Sequence, residues 1–501
     1  MNLFHLLSEQ AVRTPDQAAI IDGRCGRERS LSFRELQATI HTAASQMSAQ
    51  GIGRDSKVLV LVPMQAELYI TLAALWKIGA IALFLDPSAG RKYVSACCER
   101  TRPDAVIAIP KARLLWWLHG SIRRIPRKLV WGQHLDGRQA STAPLLTAEL
   151  PDTHPAILTF TSGSTGQPKG AIRSHGLLHA QYRALRDAIA LQSGEIELAT
   201  MPIIALVNLA AGITTLIPDA ELKRPGFVKI EKILKQVARF QPDRCVASPS
   251  FLGRFPENSD GITDCFNKIY TGGAPAFPSH LERLQRTFPQ ARVTVLYGST
   301  EAEPISHIEW TKHRTRSNAM TGLLVGPIAP EADVRIIDDS WGQAIPPQTA
   351  AEWDQRALQT PAAGEIVVAG EHVIPGYLDG IGDSENKVDV EGRIWHRTGD
   401  AGYFDQDGQL WLLGRCAAKF KLGDQWVYPF AIECAAVEHF HVSIAACCAI
   451  RGKPMLFLPK EYTGPIPERF TCGDITIGTV RRTKIPLDKR HNAKVDYARL
   501  A

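Results

Sequence analysis

Residues 159–172 read Thr-Phe-Thr-Ser-Gly-Ser-Thr-Gly-Gln-Pro-Lys-Gly-Ala-Ile, with three Thr, two Ser and three Gly crowded around one Lys. Such a stretch has little to pack and much to donate. Glycine lets the backbone curl so that successive N–H groups converge, and Ser and Thr hydroxyls add donors, which is how a loop cradles a phosphate. Thr161, Ser162, Gly163, Ser164, Thr165, Gly166 and Lys169 are therefore candidate phosphate ligands. The loop is not a Walker A sequence, because the spacing G-x-x-x-x-G-K-[ST] cannot be laid over it.

The flanks suit that task. The apolar run Ala156-Ile-Leu-Thr-Phe160 reads as a strand leading in, and the segment from Ala171 reads as strand and then helix leading out. Earlier in the chain, Ser32-Phe-Arg-Glu35 is a capping box that opens an amphipathic helix running to Gly51. Val58–Val62 reads as a buried strand, Ala66–Ile78 as a helix and Ile81–Leu85 as another strand. This is the rhythm of parallel sheets wrapped by helices, and it returns between Ala156 and Tyr297. From about Val325 short β-like runs separated by Gly and Pro suggest antiparallel or barrel-like β structure. A linker is expected at Arg415–Lys419, followed by a small domain. The expected fold class is α/β: a large N-terminal domain, 1–413, of two helix-wrapped sheets plus a small β-barrel-like part, then a small mobile α+β domain, 414–501.

Bulk properties bound the function. At 501 residues the chain exceeds what one hydrophobic core supports, and 45% hydrophobic with 22% charged residues is ordinary soluble globular usage. A net charge of +6 from 57 basic and 51 acidic residues, without a long basic block or zinc-finger spacing, argues against a nucleic-acid partner. The N-terminus lacks the pattern of a signal peptide, and no run of about 18 apolar residues suggests a transmembrane segment. Ten cysteines without CxxC pairs fit free thiols in a reducing cytoplasm. The segment 112–128, Ala-Arg-Leu-Leu-Trp-Trp-Leu-His-Gly-Ser-Ile-Arg-Arg-Ile-Pro-Arg-Lys, is apolar first and basic afterwards. It reads either as a weak membrane-surface helix or, more simply, as a core-facing helix with cations at its C-terminal end.

Thr161–Gly170 resembles the signature of the adenylate-forming superfamily, which includes acyl-CoA synthetases, peptide-synthetase adenylation domains and firefly luciferase. Further matches follow in the family's order: Tyr270-Thr-Gly-Gly-Ala-Pro275, Tyr297-Gly-Ser-Thr-Glu301, Arg397-Thr-Gly-Asp400, Gly414-Arg415 and Lys494. The resemblance implies ATP as a substrate, with the adenine near Gly272, Gly273, Ala274 and Tyr297, and with Gly298 and Ser299 beside it. It implies that Glu301, Thr300 and Thr165 serve Mg²⁺ and the phosphates, Glu301 and Thr165 as metal ligands, since hard cations want oxygen. Asp400 would accept hydrogen bonds from both ribose hydroxyls, and Arg415 would add a cationic fork. Lys494 would be catalytic, offsetting the repulsion between the attacking carboxylate and the α-phosphate.

The resemblance also bears on the acid. Amino-acid-activating relatives carry an Asp early in the pocket helix, whereas the matching stretch here, Met201–Gly212, has no acidic residue. Ile203, Ile204, Leu206, Val207 and Ala211 instead suit a long acyl chain. This stretch, the Tyr297-Gly-Ser-Thr-Glu-Ala-Glu-Pro304 variant and Ile485–Tyr497 look like the branch containing β-lactone synthetases of bacterial olefin biosynthesis, which would adenylate a 3-hydroxy fatty acid and need no CoA. A fatty acyl-CoA or acyl-carrier-protein ligase is the alternative. Ala417 at the hinge position, and Ile203–Leu206 where a His or aromatic gate is usual, both weaken the CoA reading. A luciferase-like oxidoreductase and a catalytically silent nucleotide-binding protein are the remaining classes. Other enzymes of the same pathway are the expected protein partners.

Overall fold

The computed structural model describes residues 2–24, 27–136, 145–162, 168–257, 264–311, 322–487 and 494–500. The chain divides into two compact units, one of Met1–Asp219 with Glu371–Asp383, the other of Ala220–Gly370 with Ser384–Ala501.

In the first unit the anticipated alternation is present. Ser32 Oγ accepts from the Glu35 N–H at 3.2 Å, while a Glu35 carboxylate oxygen accepts from the Ser32 N–H at 2.8 Å. This capping box satisfies donors that a helix start otherwise leaves orphaned, and the helix Phe33–Ala49 follows. The strands Arg127–Val130, Ala105–Ala108, Lys57–Leu61, Ile81–Phe84 and Pro155–Ser162 form a parallel array in that order, and Pro168–Ser174 closes it antiparallel. Such strands are covered on both faces, which is why they read as unbroken apolar runs. Leu59, Leu83, Val106, Leu158 and Phe160 meet in one buried cluster. A second group pairs Ile196–Ala199, Thr214–Ile217 and Ala18–Arg24 in parallel and adds Arg27–Ser32 antiparallel.

The second unit opens with parallel strands Arg244–Ala247, Lys268–Gly272 and Arg292–Ser299, followed by the antiparallel Ala302–Glu309. Where antiparallel or barrel-like β structure was expected stands a six-stranded antiparallel sheet, ordered Leu323–Gly326, Leu410–Arg415, Arg393–Phe404, Gly364–Ala369 and Asp333–Ile337, with Lys387–Val390 paired to Arg393–Phe404. Its core is Trp353, Trp395, Ile337, Val367 and Val388. The boundary expected at 413/414 falls within the strand Leu410–Arg415, because the backbone ladder continues through Ala401–Gly414 to Asp400–Arg415. The linker expected at Arg415–Lys419 is a short helical turn, Cys416–Ala418. Beyond it the helix Pro429–Phe440 accompanies a three-stranded sheet of Ala446–Ile450, Lys453–Pro459 and Val480–Thr483.

One ion pair organises the antiparallel sheet. Arg397 and Glu365 have fully buried side chains, and the guanidinium reaches the carboxylate at 2.6 Å through Nη2 and 3.1 Å through Nε. Arg397 Nη1 also donates to the Gln343 carbonyl at 2.5 Å. Burial raises the Glu365 carboxyl above its ordinary value, and Arg397 opposes that shift. Removing one charge strands the other in a low-dielectric interior. Glu365→Gln should therefore cost about 3–5 kcal/mol of stability, read as a lowered unfolding midpoint. A loss within ordinary surface-mutation range would show that the pair does not hold the sheet.

Candidate active site

The expected phosphate loop is the tip of an antiparallel hairpin. Its stem pairs Thr161 with Lys169 and Ser162 with Pro168. Gly163, Ser164, Thr165 and Gly166 lie outside the described residues. Gly170 has no room for a side chain, since a Cβ there would stand 2.9 Å from Leu378 Cβ and 3.1 Å from Phe160. Arg100, which carries no motif signal, pins the stem: it donates to the Pro168 carbonyl at 2.6 Å and the Leu378 carbonyl at 2.8 Å, and pairs with Asp379 at 3.2 Å. Lys169 is buried, with its ammonium 5.9 Å from the Tyr377 ring centre. Its stem crosses Gly382, whose φ is +98° and where a Cβ would sit 2.7 Å from the lysine's methylenes.

In the second unit, three of the expected nucleotide residues, Tyr297, Asp400 and Arg415, contact one another. Gly272 ends the strand Lys268–Gly272, and its parallel neighbour carries Leu296 opposite it and Tyr297 next. Open α/β sheets bind ligands at such carboxyl ends. Gly272 is obligatory there, because a Cβ would lie 2.7 Å from the Leu296 carbonyl oxygen; Gly273 follows with φ +76° and Ala274 is half-buried. Tyr297 Oη donates to Asp400 Oδ2 at 2.9 Å, and Arg415 Nε reaches Asp400 Oδ1 at 3.2 Å. Arg415 is the cross-strand partner of Asp400, so the sheet register itself places the cation beside the carboxylate. Burial and then Asp400 push the Tyr297 phenol well above its ordinary value, which keeps it a donor. Asp400 is likewise the main cause of a raised Arg415, with Tyr297 and Glu301 adding to the same field.

Thr300 and Glu301 are the two loop residues of a hairpin whose strands pair Ser299 with Ala302. Ser299 Oγ accepts from the N–H groups of Glu301 and Ala302, each at 3.2 Å, and a Cβ on Gly298 would stand 2.9 Å from the Ala302 carbonyl. The turn thus holds Glu301 half-exposed. Among the described residues no group of three or more His, Cys, Asp or Glu forms a ready metal cage. A single carboxylate at a turn fits Mg²⁺, which keeps several waters and is shared with substrate phosphates.

The motif Arg397-Thr-Gly-Asp400 is built into the sheet by its own side chains. Thr398 Oγ1 donates to the Ile366 carbonyl at 2.8 Å and accepts from the Asp400 N–H at 3.0 Å. Gly399 has φ +68°, and a Cβ there would sit 2.8 Å from the Trp341 ring; the same ring lies 5.5 Å from the Arg397 guanidinium. Behind Arg415, Lys419 pairs with Asp339 at 2.9 Å, and Tyr428 Oη donates to the same carboxylate at 2.9 Å. Burial tends to raise Asp339, yet Lys419, the Trp341 N–H and Tyr428 together bring it below its ordinary value.

The expected acyl-pocket residues share one helix, Pro202–Ala211, in the first unit. Ile204 and Val207 are packed into the core, whereas Ile203, Leu206 and Ala211 are half-open and free to meet a ligand. The helix is held by buried polar contacts: Asn208 Nδ2 donates to Glu197 at 2.8 Å, Gln10 Nε2 to the Ala210 carbonyl at 2.9 Å, and Gln17 Nε2 to the Gly212 carbonyl at 2.8 Å.

Lys494 is half-buried next to a bridge between Leu487 and Val495. Leu487, Val495, Tyr497 and Leu500 pack on a cluster containing Ala446, Met455 and Phe457. Three residues on, Tyr497 Oη donates to Glu433 Oε1 at 2.8 Å, and the Cys447 N–H donates to the same oxygen at 2.8 Å. Burial raises the Glu433 carboxyl to about 8 against the pull of both donors.

Two predictions follow from these contacts. Gly399→Ala combines a left-handed backbone with a clash on Trp341, so it should displace Asp400 and weaken nucleotide binding at least tenfold, measured by titration calorimetry. Unchanged affinity would separate Gly399 from the site. Because Glu433 keeps its proton in the folded state at pH values where the unfolded chain has lost it, stability should fall as pH rises from about 4.5 towards about 8. Glu433→Gln should flatten that slope in a pH series of unfolding midpoints.

The chain matches the family described as AMP-binding enzyme over residues 7–378. It is 31% identical over 444 residues to an olefin beta-lactone synthetase of Stenotrophomonas maltophilia, covering 84% of this chain and 79% of that protein. It is 29% identical to the olefin beta-lactone synthetase of Xanthomonas campestris pv. campestris, covering 100% of this chain and 97% of that protein. In fold it resembles ATP-bound MatB from Rhodopseudomonas palustris, with TM-score 0.81 at 20% identity over 100% of this chain and 98% of that one. The amide bond synthetase McbA from Marinactinospora thermotolerans gives TM-score 0.80 at 21% identity over 99% of both chains. The chain belongs to the AMP-binding enzyme family.

Proposed function

We propose that this enzyme activates a fatty or 3-hydroxy fatty acid with ATP, releasing pyrophosphate and forming an acyl adenylate, and that the 3-hydroxyl then closes a β-lactone. The observation that carries the first half is the cluster of Tyr297, Asp400, Arg415 and Glu301 at the carboxyl end of a parallel sheet. Olefin beta-lactone synthetases among the relatives support the second half.

In the first step a carboxylate oxygen bonds to the α-phosphorus while the bond from that phosphorus to the bridging oxygen breaks, and pyrophosphate leaves. Thr161, Ser162, Gly163, Ser164, Thr165, Gly166 and Lys169 cradle the phosphate tail, and Gly272, Gly273, Ala274 and Tyr297 take the adenine. Asp400 already holds one donor on each oxygen, and each oxygen retains a lone pair for a ribose hydroxyl. Glu301 and Thr165 hold Mg²⁺, which supplies charge neutralisation on the phosphates when bound. Residues 414–501 act as the lid that brings Lys494 to the reacting oxygens, where its charge offsets repulsion between two anions.

In the second step the hydroxyl oxygen attacks the activated carbonyl, the acyl–phosphate bond breaks, and AMP departs while the hydroxyl proton passes to solvent. No thiol is required. Ile203, Leu206 and Ala211 offer the chain its wall, with Ile204 and Val207 packed behind. The enzyme works in the cytoplasm beside enzymes that supply the acid and consume the product.

Incubation with ATP and long-chain 3-hydroxy acids, with and without CoA, should give AMP and a product lighter than the acid by one water, independent of thiol. Turnover that requires CoA, on hydroxy and unsubstituted acids alike, would instead make the enzyme an acyl-CoA ligase. Lys494→Ala should slow pyrophosphate release by roughly 10²–10³-fold while ATP binding persists. Near-normal release would remove Lys494 from the mechanism.

A further inference from the structure

The segment expected to be either a core helix or a membrane-surface helix packs one face on the core and leaves another exposed. It forms two short helices, Leu114–Leu118 and Gly120–Arg123. Ala112, Leu115 and Trp116 pack against the buried cluster of Val94, Cys97, Ile122 and Ile125. Leu114, Trp117 and Leu118, spaced i, i+3 and i+4 and hence on one helix face, point outward at 63%, 76% and 45% exposure. Seven large hydrophobic residues are exposed among the described residues, and these three fall within five positions, whereas Val12, Leu146, Phe227 and Trp426 stand singly in the sequence. Isolated exposed apolar residues are ordinary; a contiguous set is a contact surface.

The charge around this face is as uneven. Residues 105–135 contain six cations, Lys111, Arg113, Arg123, Arg124, Arg127 and Lys128, and no Asp or Glu. All but the half-buried Lys128 are exposed. Among the described residues none of the six forms an ion pair, although nearby Arg100 pairs with Asp379 at 3.2 Å. Arg113 only reaches the Gln133 side-chain oxygen at 3.5 Å, and Lys128 donates to the Ile125 carbonyl at 2.5 Å. The whole chain has a net charge of +6, so this one segment holds as much positive charge as the protein has in excess.

We propose that the Leu114–Trp117–Leu118 face and its cationic rim dock the protein peripherally on an anionic lipid bilayer. An indole and two leucines on a helix lying flat suit the boundary between headgroups and acyl chains, and unpaired Lys and Arg beside them are attracted by anionic headgroups. A nucleic acid would engage the cations but leave three apolar side chains in water. A second copy of this chain, docked face to face about a twofold axis, would set the cations against their own equivalents. The lipid surface is the occupant that satisfies both halves of the patch.

Flotation of the full-length enzyme with vesicles tests this. The protein should float with equimolar phosphatidylcholine–phosphatidylglycerol vesicles at low salt, stay behind with phosphatidylcholine alone, and be released by high salt. Trp117→Ser combined with Leu118→Ser, and separately Lys111→Gln combined with Arg113→Gln, should each reduce flotation by roughly tenfold. Both variants change exposed side chains outside the proposed ATP and acyl sites, so pyrophosphate release with the long-chain 3-hydroxy acid in the absence of vesicles should be unchanged. That readout separates the docking proposal from the assigned reaction. Failure of the wild type to float, equal flotation on neutral vesicles, or variants that float normally would each overturn it. So would variants that lose self-association on sedimentation, or retention on a duplex oligonucleotide, while vesicle binding is unaffected.

Discussion

A carboxylate held between a phenol and a guanidinium is the constraint from which the candidate nucleotide site follows. Asp400 has Tyr297 on one oxygen and Arg415 on the other. Neither partner is held by chance rotamer choice. Arg415 is fixed by cross-strand register, and Tyr297 by the end of a parallel strand flanked by Gly272. A one-residue slip of Leu410–Arg415 against Arg393–Phe404 would turn Arg415 to the opposite face of the sheet and leave Asp400 without its cation. The ladder of backbone hydrogen bonds therefore sets the geometry of this cluster. It also explains why the expected domain boundary at 413/414 lies in regular structure, since Arg415, which pairs with Asp400, is the last residue of the strand.

The alternation of strands and helices was legible because buried parallel strands must be apolar throughout and a capping box has one meaning. Val58–Val62 and Ile81–Leu85 each matched a strand to within a residue, as did Ala66–Ile78 a helix. Motif order made Tyr297, Glu301, Asp400 and Arg415 legible as a set, and the structure joins them. What the sequence could not show was tertiary support. Arg100 meets Leu378 across 278 positions, and nothing local to either residue encodes that meeting. Asp339 reads as one of two acids ending a strand, and its pairing with Lys419 and Tyr428 depends on where the chain returns. The segment 112–128 was ambiguous for a different reason: its apolar residues serve two faces, and two adjoining apolar stripes on a short helix cannot be separated by composition.

The pocket helix shows the same limit at finer grain. Five of its residues were expected to meet an acyl chain, all apolar and all on one element. Helical geometry divides them, turning Ile204 and Val207 into the core while Ile203, Leu206 and Ala211 stay half-open. Chain-length selection would then rest on three side chains backed by two rigid ones. Rigidity matters because an acyl wall that yields loses the dispersion contacts that discriminate one methylene from the next.

A common arrangement runs behind the working parts. Several of the candidate site residues stand a few positions from a polar group that is buried and hydrogen-bonded. Arg397, paired to Glu365, lies three before Asp400; Tyr497, bonded to Glu433, lies three after Lys494; Asn208, bonded to Glu197, lies among the pocket residues. Buried polar contacts of this kind add little net stability, because desolvation offsets most of the attraction. Their effect is geometric. An apolar replacement could pack equally well in several ways, whereas a buried donor must meet its acceptor, so the backbone on either side acquires one register. That requirement gives each of these segments a single local geometry.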